Sequence, residues 1–451
     1  MAKKKLFFSL PRGMRDMLPK DHSVASYLKK AIRYRCRQAG VLRISTPLFE
    51  RTVILENLPP VHWGEHVQVR YSPTESNDLL LRKNFMLGML RAYTTHKMYN
   101  LPQPVELYSL DMCFRADHHW AENDQTVLEQ FLGLDIEILG EDDPVLDAQA
   151  LKLWHLICKD VGLEDRLVIK LAKIGTAESR RQYLEDFHQY YTGKERTLCT
   201  KCAQSLQNND IFALLRCLEE DCQILLKLAP VLENYFDTET RDFYHHLEEY
   251  MRILEVPFTW ESNLFPTDLA IYEPLYGEIH LDDKMIGQLT HFTRLMADDG
   301  FEGISGRSLL VNLESVIVAM QKHNVFVPYK DNIHVYIAQL GVEGKKQGLA
   351  LLYALRDQGI KAIASMGKGS MHEQVDMAYK LKIPYSLVLG RLEVAENVVI
   401  VRDMNTGKRE TVPYDQVIDF LLAKIPAYDL DKVSYAEEER LHYEKKQEMI
   451  E

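Results

Sequence analysis

The stretch that decides the fold begins Cys113-Phe114-Arg115-Ala116-Asp117, crosses a polar loop, and resumes as Glu129-Gln130-Phe131-Leu132-Gly133-Leu134-Asp135-Ile136-Glu137-Ile138-Leu139-Gly140. It reads as strand, loop, strand, with Arg115 leaving the first strand toward whatever lies between the two. Upstream, 105–115 continues the first strand. Residues 84–98 look helical, with Phe85, Leu87, Met89 and Leu90 on an apolar side, and Leu79-Leu80-Leu81 is a short strand. In 22–40, Val24, Leu28, Ile32 and Cys36 recur at helical spacing, and Gly40 is placed to end that helix. Val41-Leu42-Arg43-Ile44-Ser45 then alternates like a strand before Thr46-Pro47. Downstream, a helix is expected over 146–160. Strands follow strands here instead of alternating with helices, which predicts an α+β unit: an antiparallel sheet with flanking helices.

The chain has 451 residues, enough for two to four domains. Hydrophobic residues make up 46% and charged residues 27%, the balance of a globular protein. No run of 18 apolar residues exists, so no membrane span is expected. The basic start, Met1-Ala2-Lys3-Lys4-Lys5, precedes an apolar stretch too short for a secretory signal, and a cytoplasmic protein is expected. A net charge of −12 argues against indiscriminate nucleic-acid binding by the whole surface, but leaves room for a local basic patch. Seven cysteines in so long a chain do not suggest a secreted disulfide framework.

The rest divides by pattern. Residues 190–255 carry four of the cysteines and long helical patterns, and are read as an inserted helical module between core segments 1–189 and 256–327. Within the second segment, 307–322 looks like a buried strand passing into a helix. Over 331–424, strands at 334–338, 360–365 and 385–389 alternate with helices at 348–355 and 373–381. A hairpin across Asn405-Thr406-Gly407 and a helix at 414–423 close this separate α/β domain. Residues 425–451 form a charged tail.

Four stretches resemble the histidyl-tRNA synthetase family, and the likeness covers about 10–424. Arg12-Gly13-Met14-Arg15-Asp16-Met17-Leu18-Pro19 is similar to its N-terminal element. Ile44-Ser45-Thr46-Pro47-Leu48-Phe49-Glu50 resembles the motif 1 strand of its dimer interface. The opening stretch resembles the phosphate-binding motif 2 of a class II synthetase. Val388-Leu389-Gly390-Arg391-Leu392-Glu393 with Val399-Ile400-Val401-Arg402-Asp403 resembles its anticodon-binding domain. The resemblance implies a class II core, a homodimer, ATP and Mg²⁺ as cofactors of an active enzyme, and tRNA as partner. Arg115 and Asp117 would be catalytic, Arg82 and Glu137 ligand-binding, and Lys368, His372 and Arg391 would meet tRNA, on a face that also carries Lys361, Lys380 and Lys382.

The same resemblance marks what differs. Histidine activation needs cations on the phosphates, a carboxylate for the ammonium and polar partners for the imidazole. Glu129 stands where the family has a second basic residue. Leu81-Arg82-Lys83-Asn84-Phe85-Met86 replaces Leu-Arg-Pro-Glu-Gly-Thr, which keeps the arginine and loses the carboxylate and the threonine. The histidine-specific Arg-Gly-Leu-Asp-Tyr-Tyr-Thr-Gly corresponds to Ala270-Ile271-Tyr272-Glu273-Pro274-Leu275-Tyr276-Gly277, and no arginine occurs from Asn263 to His291. The glycine-rich element is absent near Gly287-Gln288-Leu289-Thr290-His291. Motif 3 ends Asn312-Leu313-Glu314-Ser315, without its ATP-stacking arginine. The expectation is a paralogue with lost or much reduced histidine activation that binds a tRNA, a small ligand or a protein. An active, divergent histidine–tRNA ligase would need Arg82, Arg115 and Arg294 or Arg307 to converge. A regulatory subunit of the ATP phosphoribosyltransferase type shares the core, but that family lacks the C-terminal domain.

Two clusters leave alternatives open. Cys199, Cys202, Cys217 and Cys222 are spaced C-x2-C-x14-C-x4-C. They are either reduced, packed thiols or the ligands of a tetrahedral zinc, for which the last gap is long. The family often carries the first three without implying a metal. His118-His119, with Glu122 and Asp124, is either a solvated loop or an altered ligand or RNA contact.

Overall fold

The computed structural model describes residues 10, 14–52, 68–70, 78–114, 130–207, 214–215, 217–262, 264–265, 272–295, 303–327, 333–364 and 370–426. The chain divides into two compact units, 1–329 and 330–451.

The first unit opens with α1 (Pro19–Ala39), β1 (Leu42–Arg43), β2 (Phe49–Arg51), β3 (Gln68–Arg70) and β4 (Asp78–Leu81). Next come α2 (Met86–Thr95), β5 (Val105–Phe114), β6 (Gln130–Leu139), α3 (Pro144–Asp160) and β7 (Leu167–Lys173). Four helices follow: α4 (Ala177–Tyr191), α5 (Thr200–Gln207), α6 (Glu220–Leu226) and α7 (Thr238–Ile253). The unit ends with β8 (Thr259–Trp260), β9 (Leu275–Leu281), β10 (Lys284–Leu295), β11 (Ile304–Asn312) and α8 (Leu313–Lys322).

Helix α1 begins at Pro19, whose fixed φ and missing N–H suit a first turn. It ends at Gly40, which caps it at φ 81°, a left-handed conformation that glycine takes without a steric cost. Ala25, Leu28, Ile32 and Cys36 are its buried stripe. Arg35 locks it to the end of α3 through two contacts of 2.6 Å to the Asp160 carboxylate. Of the expected strand 41–45 only Leu42–Arg43 forms a ladder, and it is parallel to β5.

Eight strands form one sheet, ordered β1-β5-β6-β11-β10-β9-β7-β8. Its pairs are antiparallel except β1 with β5 and β7 with β8. A second sheet, β2-β4-β3, is small and antiparallel. This is the fold of a class II synthetase core.

The second unit contains β12 (Val335–Gln339), α9 (Gly341–Asp357), β13 (Ala362–Ala364), α10 (Met371–Lys380) and β14 (Tyr385–Leu389). It closes with α11 (Arg391–Glu396), β15 (Val398–Asp403), β16 (Arg409–Pro413) and α12 (Val417–Leu422). Its sheet runs β13-β12-β14-β15-β16, parallel among the first three and antiparallel beyond. Alternate residues of β12 face two cores. Val335 and Ile337 join Leu351 and Leu355 of α9, while Tyr336 and Ala338 join Ala378 of α10.

Helix α9 starts at Gly341, seven residues before the expected position. Gly344 and Gly348 lie on its side against the sheet. A Cβ on Gly344 would stand 2.9 Å from the Leu389 carbonyl oxygen, so the glycine allows the contact that holds the helix.

Candidate active site on the sheet and a basic groove in the C-terminal unit

Residues paired across strands share a face. The registers therefore sort the large sheet into two faces. One carries, across successive strands, Tyr108, Ile136, Leu309, Leu289, Gly277 and Leu171, the row that the flanking helices bury. The other carries a polar row, Glu137, Ser308, Thr290 and Tyr276, on β6, β11, β10 and β9. Beside it runs a second row, with Ser109 opposite Asp135, and Gln288 and Glu278 farther along.

The helix-covered face holds a closed ion network next to its apolar row. Asp147 of α3 lies between His291 and Arg307, and all three are fully buried. His291 Nδ1 is 3.1 Å from Asp147 Oδ2, and its Nε2 is 2.5 Å from Asp142 Oδ1. Arg307 also donates to the carbonyls of Glu141 and Asp143 at 3.2 and 3.3 Å. Burial works against charge on the ring, but Asp147 and the bonds to both carboxylates outweigh it and hold His291 above its ordinary value. Burial likewise pushes Asp147 up, and the His291 and Arg307 charges pull it below the usual carboxylate range.

The polar face is the reverse. Asp135 and Glu137 are fully buried, yet among the described residues one Asp135 oxygen, both Glu137 oxygens and Ser109 Oγ have no hydrogen-bond partner. The other Asp135 oxygen accepts from Ser308 Oγ at 2.7 Å. Burial pushes Asp135 up to about 7, against the Ser308 hydroxyl and the Phe85 backbone, which favour its charged form. Burial and the Asp135 charge hold Glu137 well above the carboxylate range. Two buried carboxyls with bare oxygens are costly unless a donor or cation meets them. They form an acidic socket suited to an ammonium or imidazolium group.

Arg82 lies near this face but is engaged. It donates to the Met112 carbonyl at 2.7 Å and to the Thr46 carbonyl at 3.2 Å, and pairs with Asp111 at 2.7 Å. Its guanidinium sits 4.5 Å from the Phe85 ring centre. The cavity beside it, about 10 Å³, has room for one water. Arg307 belongs to the opposite face, and Arg294 is exposed at the far end of β10. Arg115, Asp117, His118, His119, Glu122, Asp124 and Glu129 lie outside the described residues, as do Arg12, Gly13, Ala270 and Ile271.

The altered motifs do structural work. Asn312 caps α8, its Oδ1 accepting from the N–H groups of Glu314 and Ser315 at 3.0 and 3.2 Å. Glu314 accepts from Arg15 at 2.9 Å and from the Leu132 N–H at 3.1 Å. Glu273 accepts the Ala177 N–H at 2.6 Å, and the Tyr244 hydroxyl donates to the Pro274 carbonyl at 2.7 Å. The segment that corresponds to the histidine-specific element is thus fastened to α4 and α7. Among the described residues of the polar face, nothing matches the cationic clamp that ATP requires, and the bare carboxyls there do not fit a triphosphate.

The second unit offers a different surface. Helix α10 packs on β12 and β14. There a groove of about 300 Å³ is lined by Met371, His372, Val375, Val388, Ile400, Arg402 and Arg409. Arg402 and Arg409 are cross-strand partners, and like charges directly opposite each other are destabilising. Among the described residues Arg402 Nε is buried without a hydrogen-bond partner. Such a pair suits an anion such as a phosphate. His372 is in this lining, Arg391 is exposed at the start of α11, and Lys368 lies outside the described residues.

Asp135, Ser308, Arg402 and Arg409 do not stand out in the sequence. Acidic residues two apart in Leu134-Asp135-Ile136-Glu137-Ile138 were the available signal, since a spacing of two puts both on one face. The four cysteines do come together, with every sulfur within 4.8 Å of the others.

Comparison with known proteins agrees with this architecture. Residues 334–424 match the family model described as an anticodon binding domain. A histidine–tRNA ligase from Shouchella clausii is 27% identical, with 92% of this chain and 98% of that protein covered. One from Geobacillus sp. is 25% identical over 93% and 99%. Among solved structures, apo histidyl-tRNA synthetase from S. aureus superposes with a TM-score of 0.71 at 22% identity, covering 92% of this chain and 99% of that one. A Bacillus halodurans structure described as an ATP phosphoribosyltransferase regulatory subunit/histidyl-tRNA synthetase gives 0.59 at 16%, covering 86% and 99%. Along nearly its whole length the chain is similar in sequence to histidine–tRNA ligases, it shares the fold of a solved histidyl-tRNA synthetase, and its C-terminal residues match an anticodon binding domain.

Proposed function

We propose that the chain is a histidyl-tRNA-synthetase-like protein in which histidine activation is lost or much reduced. It binds tRNA through the C-terminal unit and a small cationic ligand through Asp135 and Glu137, as a cytoplasmic homodimer paired through the motif 1-like segment. The observation that carries this reading is the charge of the polar face. Its buried groups are carboxyls, its nearby Arg82 is neutralised by Asp111, and Ser315 stands at the ATP-stacking position. Phosphates are repelled by such a surface, whereas an ammonium or imidazolium is drawn to it. Losing one transition-state charge contact costs about 3–4 kcal/mol, so several losses remove most of a ligase's advantage even though they do not add.

ATP–pyrophosphate exchange with histidine tests the proposal. The expected result is exchange at background with a folded dimer that still binds histidinol and tRNA. Histidine-dependent exchange would overturn it. The active-ligase reading has less support, because Arg307 faces away from the site and Arg294 is exposed. The regulatory-subunit reading has the Bacillus halodurans neighbour in its favour. That neighbour covers 86% of this chain, more than the 329 of 451 residues in the first unit, so it reaches into the second. The expectation that such proteins lack this domain therefore carries less weight against it. Co-purification with a phosphoribosyltransferase would support that reading.

A further inference from the structure

The cysteine cluster sits in the module between α4 and α7. Cys199 directly precedes α5, Cys202 lies in its first turn, Cys217 lies between α5 and α6, and Cys222 belongs to α6. These are separate segments of chain, yet their four sulfurs lie within 4.8 Å of one another, and Cys199 and Cys217 are 3.9 Å apart. Four sulfurs at about 2.3 Å from a central zinc form a tetrahedron with edges of about 3.8 Å. The cluster is therefore within about 1 Å of a coordination sphere before any ion is added.

Two backbone donors already point at the sulfurs. Cys199 N–H donates to Cys222 Sγ at 3.3 Å, and Cys202 N–H to Cys199 Sγ at 3.5 Å. Donors of this kind stabilise thiolate charge and orient metal ligands. Gln223 also donates to the Cys217 carbonyl, which ties the third segment to the fourth.

Packing alone does not require this convergence. A disulfide joins two sulfurs and has no use for four mutually close ones. Within the described residues helices α5 and α6 span eight and seven residues, short enough to be marginal without cross-links. We propose that Cys199, Cys202, Cys217 and Cys222 bind one structural zinc ion that staples this module. The long last gap is accommodated because Cys222 is brought back by the first turn of α6.

Metal analysis of the full-length protein, purified under reducing conditions without chelator, tests the assignment. The expected result is one zinc per chain that survives dialysis and is released by a mercurial thiol reagent. After removal of zinc, Co²⁺ should give the visible bands of tetrahedral thiolate coordination. Cys222→Ser should lower zinc content about tenfold or more and open the module to proteolysis. If that variant does not fold, the Co²⁺ spectrum of the wild-type chain still decides. Reduced wild-type protein without zinc, without the cobalt bands, and with all four thiols reactive in excess zinc would overturn the proposal. So would two disulfides that re-form after reduction in the presence of zinc.

Discussion

The two faces of the eight-stranded sheet bury charge to the same depth and treat it in opposite ways. On one, Asp147 is matched by the charges of His291 and Arg307, and the Glu141 and Asp143 carbonyls accept from the two terminal nitrogens of Arg307, while its Nε faces Asp147 at 3.5 Å. On the other, Asp135 and Glu137 keep three oxygens that no described residue meets with a hydrogen bond. A fold gains nothing from bare carboxyls, so the first face reads as scaffold and the second as a place for something else. Burial alone would not separate them. Satisfaction does.

The largest effect is expected on the scaffold face. Asp147→Ala leaves Arg307 buried without its countercharge and should cost about 3–5 kcal/mol, read by urea denaturation. A loss below about 1 kcal/mol would mean that the network is not structural, and the contrast between the faces would fail.

Asp135→Asn with Glu137→Gln is the matching change on the polar face. Stability should hold or rise by about 1–3 kcal/mol at pH 8, while histidinol binding is lost. A large loss of stability instead would show the carboxyls to be structural.

The pH dependence separates the faces further. Asp135, raised to about 7, and Glu137, raised above its usual range, bind protons more tightly when folded. Their contribution to stability therefore falls as pH rises from about 4 toward 7, by up to about 1.4 kcal/mol per unit for each group. The double variant should lose that fall. On the other face, Asp147 is depressed, so its contribution is present above about pH 4 and is lost as pH drops through its folded value. His291 is raised, so its contribution is full below about pH 6.5 and fades as pH rises through its folded value. Asp147→Asn should remove both of these outer limbs. Denaturation midpoints from pH 2 to 9 check all three statements.

Two smaller changes probe the second unit and the motif 3 region. Arg402→Gln should weaken tRNA binding and lower the slope of log affinity against log salt by about one, with stability unchanged or up by about 0.2–1 kcal/mol. An unchanged salt slope would remove the groove from the RNA interface. Asn312→Ala should cost about 1 kcal/mol through the lost α8 cap, measurable as a lower melting temperature.

Much of this architecture was legible in the sequence, because periodicity reports burial and burial builds the sheet. Val24, Leu28, Ile32 and Cys36 marked α1, and Gly40 marked its end. The start of α9 was not legible, because glycines that break a solvated helix permit one pressed on a sheet. Nor was the grouping of the arginines. Arg82 and Arg307 look alike as letters, and only the registers show that Asp111 occupies one and that the other turns to the far face. The Arg402–Arg409 pair depends on a cross-strand register that the hairpin sets.

The row Glu137, Ser308, Thr290 and Tyr276 runs perpendicular to the chain, one residue from each of four strands. The fold is written along the strands and the site across them. A substitution in any one strand alters a single corner of the socket and leaves three, and leaves that strand's alternation intact. A lineage can therefore change the chemistry of this face one letter at a time without ever passing through a chain that fails to fold.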